Sequence, residues 1–304
     1  MTQTPIGFIG LGNMGGRIAR RIVDAGRPVL GYDPAPGAAE AAGATAAASV
    51  AEVTANADCV LMSLPDSTAV ESVMRGADGV VAHCRSGQVV VDLTTADPSS
   101  TVALHAELDA AGGTYVDAGV SGGASAAEKG TLTIMAGGPT QLLDELAWLF
   151  EPFASAVHPM GGPGAGHTAK LLNNFLNAVN LAATAEVMVA GRRAGLDLKT
   201  LLDVINTSSG VNFASLNRFP RIITGDYLEG GLTGALMLKD VKLYVELLGD
   251  LGVPSLNSAG PIASFGLANS QGYADLISNR VVDALGDLAG GVRVHDRAGG
   301  VDNP

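Results

Sequence analysis

The chain contains, near its start, the stretch Ile6-Gly7-Phe8-Ile9-Gly10-Leu11-Gly12-Asn13-Met14-Gly15, which gives the strongest indication of its fold. A short apolar run leads into the pattern G-x-G-x-x-G, and the segment 17–23 that follows is typical of a helix. In such a strand–turn–helix unit, Gly10 allows the tight turn, Gly12 lets a pyrophosphate approach the backbone, and Gly15 lets the helix pack on the strand. The helix N-terminus would favour the anion through its N–H groups and its dipole. The stretch therefore predicts a dinucleotide-binding unit, although a simple βαβ turn is the alternative.

An acidic residue after the second apolar run supports this interpretation. Residues 28–32 are apolar and end in Asp33, about 20 residues after the glycines, where a carboxylate bonds the ribose hydroxyls and repels a 2′-phosphate. Tyr32 and Pro34 flank it, so no adjacent arginine or lysine is available to bind that phosphate. The pattern predicts NAD as the cofactor, with NADP less favoured.

Composition limits the class of protein. The 304 residues suggest two domains, and 47% hydrophobic with 16% charged residues indicate a globular chain. The net charge of −12 argues against nucleic-acid and anionic membrane partners. Two cysteines, Cys59 and Cys84, are too few for a disulfide framework, and the five scattered histidines suggest no metal site. The early first strand and the lack of a long apolar run predict a cytosolic protein without a signal peptide.

The order of apolar segments predicts an α/β domain followed by an all-α domain. Short apolar runs alternate with helical segments and indicate a mostly parallel sheet; they cover 6–9, 28–32, 58–64, 88–93, 114–117, 132–136 and 155–158. A Gly/Pro segment over 159–166 reads as a hinge. After it come a long helix over 167–193 and further helical segments at 198–208, 234–251, 257–271 and 274–287. We expect a Rossmann domain over 1–163, a helical substrate and oligomerisation domain over 164–290, and a flexible tail over 291–304.

The long helix carries a polar stripe. It is apolar nearly all round, yet Lys170, Asn174 and Asn177 fall at i, i+4 and i+7 on one face. An unpartnered buried lysine is costly, so the stripe is either a solvated helix edge or part of a cleft that a ligand satisfies. A lysine in such a cleft suits proton transfer to a reacting oxygen.

A glycine loop follows the fifth apolar run. Ser121 with the N–H groups of Gly122 and Gly123 has the chemistry to hold a carboxylate or phosphate, and an ordinary turn is the alternative. Two other features carry less weight. His167 is expected to be a polar surface residue, and Lys239-Asp240 could be a surface pair.

These blocks resemble the β-hydroxyacid dehydrogenases, the group of 3-hydroxyisobutyrate dehydrogenase and tartronate semialdehyde reductase. The matching blocks follow the family order over about residues 6 to 240: Gly7 to Gly15, Ser121-Gly122-Gly123 with Gly130-Thr131-Leu132, Gly164-x-Gly166-x-x-x-Lys170-x-x-x-Asn174, and Lys239-Asp240. The resemblance implies a Rossmann domain, a long interdomain helix, an all-α second domain and a homodimer or homotetramer. It also implies NAD(P)-linked oxidation of a small 3-hydroxy acid, or reduction of the matching semialdehyde.

The family's site residues carry over position by position. The resemblance implies that Lys170 is the acid/base, that Asn174 orients substrate and lysine, and that Ser121, Gly122 and Gly123 hold the substrate carboxylate. The residues that would contact the cofactor are Gly10, Leu11, Gly12, Asn13, Met14, Gly15, Asp33, Leu64, Pro65, Thr95 and Lys239.

Some positions depart from the family pattern, and two other functions stay open. Gly119 stands where the family usually has proline, which predicts a looser loop, and residues 208–213 keep only part of the pattern that lines the substrate. An imine reductase shares the architecture but usually carries Asp or Tyr where Lys170 stands. A non-catalytic dinucleotide-binding protein would have no reason to keep Lys170 and Asn174.

Overall fold

The structure, a computed structural model, describes residues 4–295. The chain divides into two compact units, Met1–Lys170 and Leu171–Pro304. The described part of the first unit forms one sheet, whose strands are β1 (Ile6–Ile9), β2 (Val29–Tyr32), β3 (Thr45–Ala46), β4 (Cys59–Met62), β5 (Val89–Asp92), β6 (Thr114–Ser121), β7 (Leu132–Gly137) and β8 (Ala154–Gly161).

The strand order makes this sheet a doubly wound Rossmann sheet. The order is β3-β2-β1-β4-β5-β6-β7-β8, and every neighbouring pair is parallel except β6 with β7. The direction of winding reverses between β1 and β4, and ligands of such sheets bind at the carboxyl ends of the strands at this switch point. The mostly parallel sheet predicted from the apolar runs is confirmed. The two-residue strand β3 lies inside an alanine-rich segment, residues 38–57, and is too short to form an apolar run.

Helices cover both faces of the sheet. Those of the first unit are α1 (Gly15–Asp24), α2 (Ala38–Ala41), α3 (Val50–Asn56), α4 (Ser67–Arg75), α5 (Val80–His83), α6 (Pro98–Ala110), α7 (Gly123–Lys129), α8 (Thr140–Glu145) and α9 (Ala147–Phe150). Alternation along β1 puts Phe8 in the core on one face and Ile9 in the core on the other. Burying both faces explains why the strands read as continuous apolar runs. Cys59 is buried in this core, and burial raises its pKa to about 12.

The Gly/Pro segment is shorter than the predicted hinge. Strand β8 continues through Gly161, so the segment 159–161 belongs to the sheet, and only residues 162–164 connect it to the long helix α10 (Ala165–Arg193). The buried Asp117 carboxylate accepts hydrogen bonds from the Gly164 and His167 backbone N–H groups, each at 2.9 Å, and so satisfies the first turn of α10. The helix ends before Gly195, close to where the sequence predicts.

The second unit is helical, as predicted. Its helices after α10 are α11 (Leu198–Asn206), α12 (Phe213–Asn217), α13 (Phe219–Ile222), α14 (Gly234–Asp250), α15 (Ala259–Ala268) and α16 (Val281–Leu288), with a π-helical turn at Asn269–Tyr273 and a 3-10 turn at Ser278–Arg280. Side chains cap several of them, for example Asp197 on α11 and Thr233 on α14. The segment predicted as a helix over 274–287 becomes α-helical only at Val281.

Part of the expected tail lies within the described residues. Val294 is buried in the core of the second unit, and its carbonyl accepts a hydrogen bond from Arg192 at 3.1 Å. Residues 296–304 lie outside the described residues. Within residues 4–295, no helix is both long and apolar enough to cross a membrane.

Candidate active site

The glycine turn after β1 has the geometry that a pyrophosphate needs. Gly10 has φ +88°, and a Cβ there would collide with the carbonyl oxygen of Ser63, while a Cβ on Gly15 would collide with the carbonyl oxygen of Gly10. By contrast, no described atom beyond its two chain neighbours lies within 4 Å of the Cβ position of Gly12, so the turn is open on the side that a phosphate would approach. Helix α1 begins directly after it, and no described side chain caps its Met14 N-cap. These residues fit a dinucleotide pyrophosphate.

Asp33 lies beside this turn, at the tip of β2. One carboxylate oxygen accepts the Leu11 backbone N–H at 2.7 Å, and the other accepts the Ala35 N–H at 2.8 Å. Each ionised oxygen has a further lone pair for a ribose hydroxyl. The structure therefore brings the predicted ribose-binding carboxylate to the predicted phosphate-binding turn.

The segments after β4 and β5 complete this edge of the sheet. Leu64 packs under the glycine turn, with its Cδ2 atom 2.9 Å from the Cβ position of Gly10, and its N–H donates to Thr94 Oγ1 at 3.0 Å. The Asp92 carboxylate in turn accepts the Thr94 N–H at 2.9 Å. Pro65 is exposed and Thr95 is half-buried on these two segments. Their contact with a cofactor stays a prediction.

Lys170 is buried against the backbone of strand β6. Its exposed fraction is 7%, and a Cβ on Gly119 would lie only 2.7 Å from Lys170 Cβ. Gly119 pairs with Met135 inside the β6–β7 ladder, so the looser loop expected at this position is wrong. The missing side chain instead makes room for the lysine stem.

Ser121 is on the same face of the sheet as the space that Lys170 fills. Gly119, Val120 and Ser121 pair regularly with three consecutive residues of β7, and positions i and i+2 of a strand share a face. Ser121 is half-buried at the end of β6, and the exposed Gly122 and Gly123 follow it into α7. The first unit therefore brings Lys170 and Ser121 to one face of β6, with Gly122 and Gly123 directly after it in sequence.

A buried network holds the start of α10, and sequence reasoning missed it. His167 is fully buried, so the surface interpretation is wrong; its Nδ1 lies 2.7 Å from Thr101 Oγ1 and its Nε2 lies 3.3 Å from the Asp92 carbonyl oxygen. Tyr115 donates to the Asp92 carboxylate at 2.6 Å. Burial and this carboxylate raise the pKa of Tyr115 well above its ordinary value, so the phenol stays protonated and keeps donating. The network fixes the helix turn that precedes Lys170.

In the second unit, Asn174 is held by Asp240. The Asn174 amide nitrogen donates to one Asp240 oxygen at 2.6 Å, and the Lys239 ammonium lies 3.2 Å from the other. Asp240 is 1% exposed and Asn174 is 4% exposed, so the interpretation of Lys239-Asp240 as a surface pair is wrong. A buried carboxylate that pairs with an ammonium and an amide fixes which end of the Asn174 amide faces away from it.

The polar stripe on α10 is therefore not a solvated helix edge. Lys170 and Asn174 are buried, Asn177 is half-buried and accepts from Arg218 at 2.9 Å, and only Asn173 of its flanks is exposed. Asp240 and Asp117 are the main residues that the sequence patterns did not predict as part of the site. Their partners lie 66 and 47 or more positions away in sequence, and no local spacing reports such pairs.

Comparisons with known proteins agree with this architecture. The family model of the "NAD binding domain of 6-phosphogluconate dehydrogenase" matches residues 5–162, and that of the "NAD-binding of NADP-dependent 3-hydroxyisobutyrate dehydrogenase" matches residues 164–284. The mitochondrial 3-hydroxyisobutyrate dehydrogenase of Mus musculus is 36% identical over 282 residues, which cover 90% of this chain and 84% of that protein. The 2-(hydroxymethyl)glutarate dehydrogenase of Eubacterium barkeri is 35% identical over 276 residues, covering 89% and 92%.

Solved structures give the same result. The Mycobacterium tuberculosis 3-hydroxyisobutyrate dehydrogenase with L-serine matches with a TM-score of 0.83 and 30% identity, covering 93% of this chain and 99% of that one. An imine reductase of Streptomyces aurantiacus matches with a TM-score of 0.62 but 22% identity, which shows a shared fold alone. These matches identify the chain as a member of the β-hydroxyacid dehydrogenase family, an NAD(P)-dependent hydroxyacid dehydrogenase.

Proposed function

We propose that the protein oxidises a small 3-hydroxy acid similar to 3-hydroxyisobutyrate, or reduces the matching semialdehyde, with Lys170 as the acid/base. The observation that carries the proposal is the position of the Lys170 side chain. Its stem is buried against Gly119 on the face of β6 that also carries Ser121. A lysine fixed next to an anion-binding segment suits a substrate with a carboxylate and a nearby hydroxyl.

Different residues of the chain are proposed to transfer the proton and to hold the substrate. A nicotinamide cofactor, which the glycine turn and Asp33 would hold, would supply the hydride acceptor for the carbinol carbon. Lys170 takes the proton from the hydroxyl oxygen as the carbonyl forms, and returns it in the reverse reaction. Ser121 and the Gly122 and Gly123 N–H groups hold the substrate carboxylate, which fixes the distance between the hydroxyl and the lysine.

Asn174 orients the hydroxyl and the lysine in this proposal. It follows Lys170 by one turn of α10, which places the two on the same helix face. Its amide nitrogen is committed to Asp240, so Asp240 acts through Asn174 and not on the substrate. Lys239, paired with the same carboxylate, is proposed to lie near the nicotinamide.

We also propose that NAD is preferred over NADP. The Asp33 carboxylate lies against the Leu11 N–H, where it would repel a 2′-phosphate. The arginines that follow the glycine turn on α1 already have partners: Arg17 pairs with Glu128 at 2.7 Å, and Arg20 donates to the Ala41 carbonyl oxygen at 2.6 Å. Among the described residues next to Asp33, none is a cation.

A homodimer or homotetramer is the proposed assembly. Leu172, Leu176 and Val187 of α10 are exposed, and such apolar side chains on one helix are typical of a surface that a second subunit covers.

The ligand proposed for the active site is a small carboxylate. No role is proposed for nucleic acid or a membrane surface, consistent with the net charge of −12.

A substrate panel tests the proposed function. The full chain is assayed with 3-hydroxy acids and their semialdehydes, each with NAD and with NADP, by the absorbance of the reduced cofactor; a cyclic imine with the reduced cofactor serves as the competing substrate. We expect turnover of 3-hydroxy acids with a higher kcat/KM for NAD. Turnover of the imine alone would contradict the substrate class, and a clear preference for NADP would contradict the role of Asp33.

A further inference from the structure

Arg218 lies between α12 and α13 of the second unit and is held by two neutral amides. Its Nη1 donates to Asn279 Oδ1 at 2.8 Å, and its Nη2 donates to Asn177 Oδ1 at 2.9 Å. The guanidinium also lies 5.7 Å from the ring centre of Phe213. These contacts fix the position of the positive charge without neutralising it.

No carboxylate of residues 4–295 pairs with this guanidinium, in contrast to other arginines of the same unit. Arg221 contacts Asp226, Arg280 contacts Glu229 and Asp283, and Arg293 contacts Asp287. Burial alone lowers the pKa of Arg218 to about 10, with no opposing effect of an acid. A desolvated charge with neutral partners only is costly, and an anion that enters the site would offset that cost.

The cluster is built to present the guanidinium. Asn279 is 2% exposed, and its amide nitrogen donates to the Tyr227 carbonyl oxygen at 2.8 Å, so its amide oxygen must face Arg218. Two N–H groups of the guanidinium are used in these contacts, and the others stay available for a planar anion. Arg218 and Asn177 are only half-buried, which leaves the cluster accessible to a small ligand.

The position of Asn177 relates this cluster to the active site. Asn177 follows Asn174 by three residues on α10, or about 4.5 Å along the helix axis. Asn174 in turn follows Lys170 by one turn. Asn177, which holds Arg218, therefore shares the face of α10 that carries the proposed orienting and acid/base residues.

We propose that Arg218, held by Asn177 and Asn279, binds a second anionic group of the substrate, so that the preferred substrate is a 3-hydroxy acid with a second carboxylate on its side chain. This inference rests on the proposed function for the place of the reacting hydroxyl. A carboxylate meets a guanidinium through two parallel hydrogen bonds, which accounts for an arginine at this position.

Kinetics on a matched series of substrates test the inference. 3-Hydroxyisobutyrate carries a methyl group where 2-(hydroxymethyl)glutarate carries a propionate, and 2-(hydroxymethyl)pentanoate replaces the second carboxylate of the diacid by a methyl group. We expect the wild type to have a kcat/KM at least about tenfold higher for the diacid than for the pentanoate, because a hydrogen-bonded ion pair contributes about this much or more. Equal values, or a preference for the pentanoate, would overturn the inference.

Variants assign the preference to Arg218. Arg218→Met is expected to lower the ratio of the two kcat/KM values by about 10–100-fold, Arg218→Lys to keep part of it, and Arg221→Met, whose guanidinium already pairs with Asp226, to leave it unchanged. Asn177→Asp keeps the acceptor for Arg218 but supplies an internal anion, so it should also lower the ratio. An unchanged ratio of the two kcat/KM values in a folded Arg218→Met or Asn177→Asp protein would contradict the proposal. The same ratio in a variant that dissociates into subunits would also contradict it, because Arg218 would then act in subunit contact and not in substrate binding.

Equilibrium binding separates this inference from the proposed reaction. Glutarate and pentanoate, which have the same chain length, are titrated calorimetrically into the full chain with NAD. Tighter binding of glutarate by about tenfold, lost in Arg218→Met, supports the inference even if no 3-hydroxy acid is oxidised, in which case the proposed function alone fails. Equal binding of the two acids, no glutarate binding, or an unchanged difference in the variant overturns it.

Discussion

Two regions of the molecule, the glycine turn after β1 and the contacts along α10, are built in different ways. The glycine turn consists of backbone and missing side chains from Gly10 to Gly15, with Asp33 added from the next strand. The contacts along α10 depend on residues that are far apart in sequence, such as Asn174 with Asp240 and Gly164 with Asp117. A site made of backbone is encoded locally and tolerates no added atoms, whereas a site made of side chains depends on the packing that brings them together.

The largest effect on stability is expected from Gly15→Ala. The new Cβ would collide with the Gly10 carbonyl oxygen inside a packed turn, so either α1 or the glycine turn must move. We expect the free energy of unfolding to fall by about 3 kcal/mol, with loss of dinucleotide binding. Chemical denaturation and cofactor titration measure the two quantities.

Gly12→Ala is the matched control for this turn. Its Cβ meets no described atom within 4 Å, so the melting temperature should stay the same while the affinity for the cofactor falls. Equal stability of the Gly15→Ala and Gly12→Ala proteins would contradict the different roles of the two glycines.

Gly119→Ala tests whether the close contact with the backbone of β6 positions Lys170. The added methyl group would press on Lys170 Cβ, which belongs to the helix and cannot rotate away. A displacement of about 1 Å can cost about 100-fold in rate, so we expect kcat to fall by up to that factor while cofactor affinity is kept. Gly249→Ala, in an open position of α14, should leave kcat unchanged. Wild-type turnover in Gly119→Ala would show that the contact does not position Lys170.

Ser121→Ala tests the proposed carboxylate contact. A hydrogen bond to a charged group contributes about 1.5–3 kcal/mol, so the KM for the hydroxy acid should rise by about 10–100-fold. The KM for the cofactor should change little. Steady-state kinetics with each reactant varied in turn separate the two, and an equal rise in both would instead indicate collapse of the glycine segment.

The smallest effect is expected from Asp240→Asn. The variant keeps the shape and one acceptor but removes the charge that pairs with Lys239 and holds Asn174, so kcat/KM should fall by about tenfold. Asp203→Asn, which breaks an exposed i,i+4 pair with Lys199, is the control and should change neither activity nor stability measurably. Unchanged kcat/KM in Asp240→Asn would mean that Asn174 does not depend on its orientation by this carboxylate.

The sequence predicted the elements whose information is local. The apolar runs gave seven of the strands, and the long helix was placed within two residues of Ala165–Arg193. Strand β3 was not predicted, because Thr45 and Ala46 form no apolar run. Strand β6 extends beyond its predicted end to Ser121 because β7 continues to pair with it. The predicted gap between 271 and 274 coincides with Gly272, whose φ is +91°. The helix predicted from 274 begins only at Val281, because Ile277 pairs with Thr233 in a β-bridge and Ser278–Arg280 form a 3-10 turn, and no local pattern shows that pairing.

The site was predicted unevenly for the same reason. The glycine turn and the i, i+4 spacing of Lys170 and Asn174 are visible in the sequence. The burial of His167 and the pairing of Asp117 with the start of α10 are not, because both depend on strands that lie more than 40 positions away. The role of Gly119 is not visible in the sequence, because a glycine in a strand cannot be told from a glycine in a loop until the neighbour that packs against it, here Lys170, is known.

The turnover of Lys170→Met with a 3-hydroxy acid tests whether Lys170 is the acid/base. Methionine keeps most of the buried apolar stem and removes the ammonium, so the melting temperature and the affinity for NAD should stay close to those of the wild type. We expect kcat to fall by about 10²–10⁴-fold, the usual contribution of a positioned acid or base. A stable, NAD-binding Lys170→Met protein with near-normal kcat would contradict this role of Lys170.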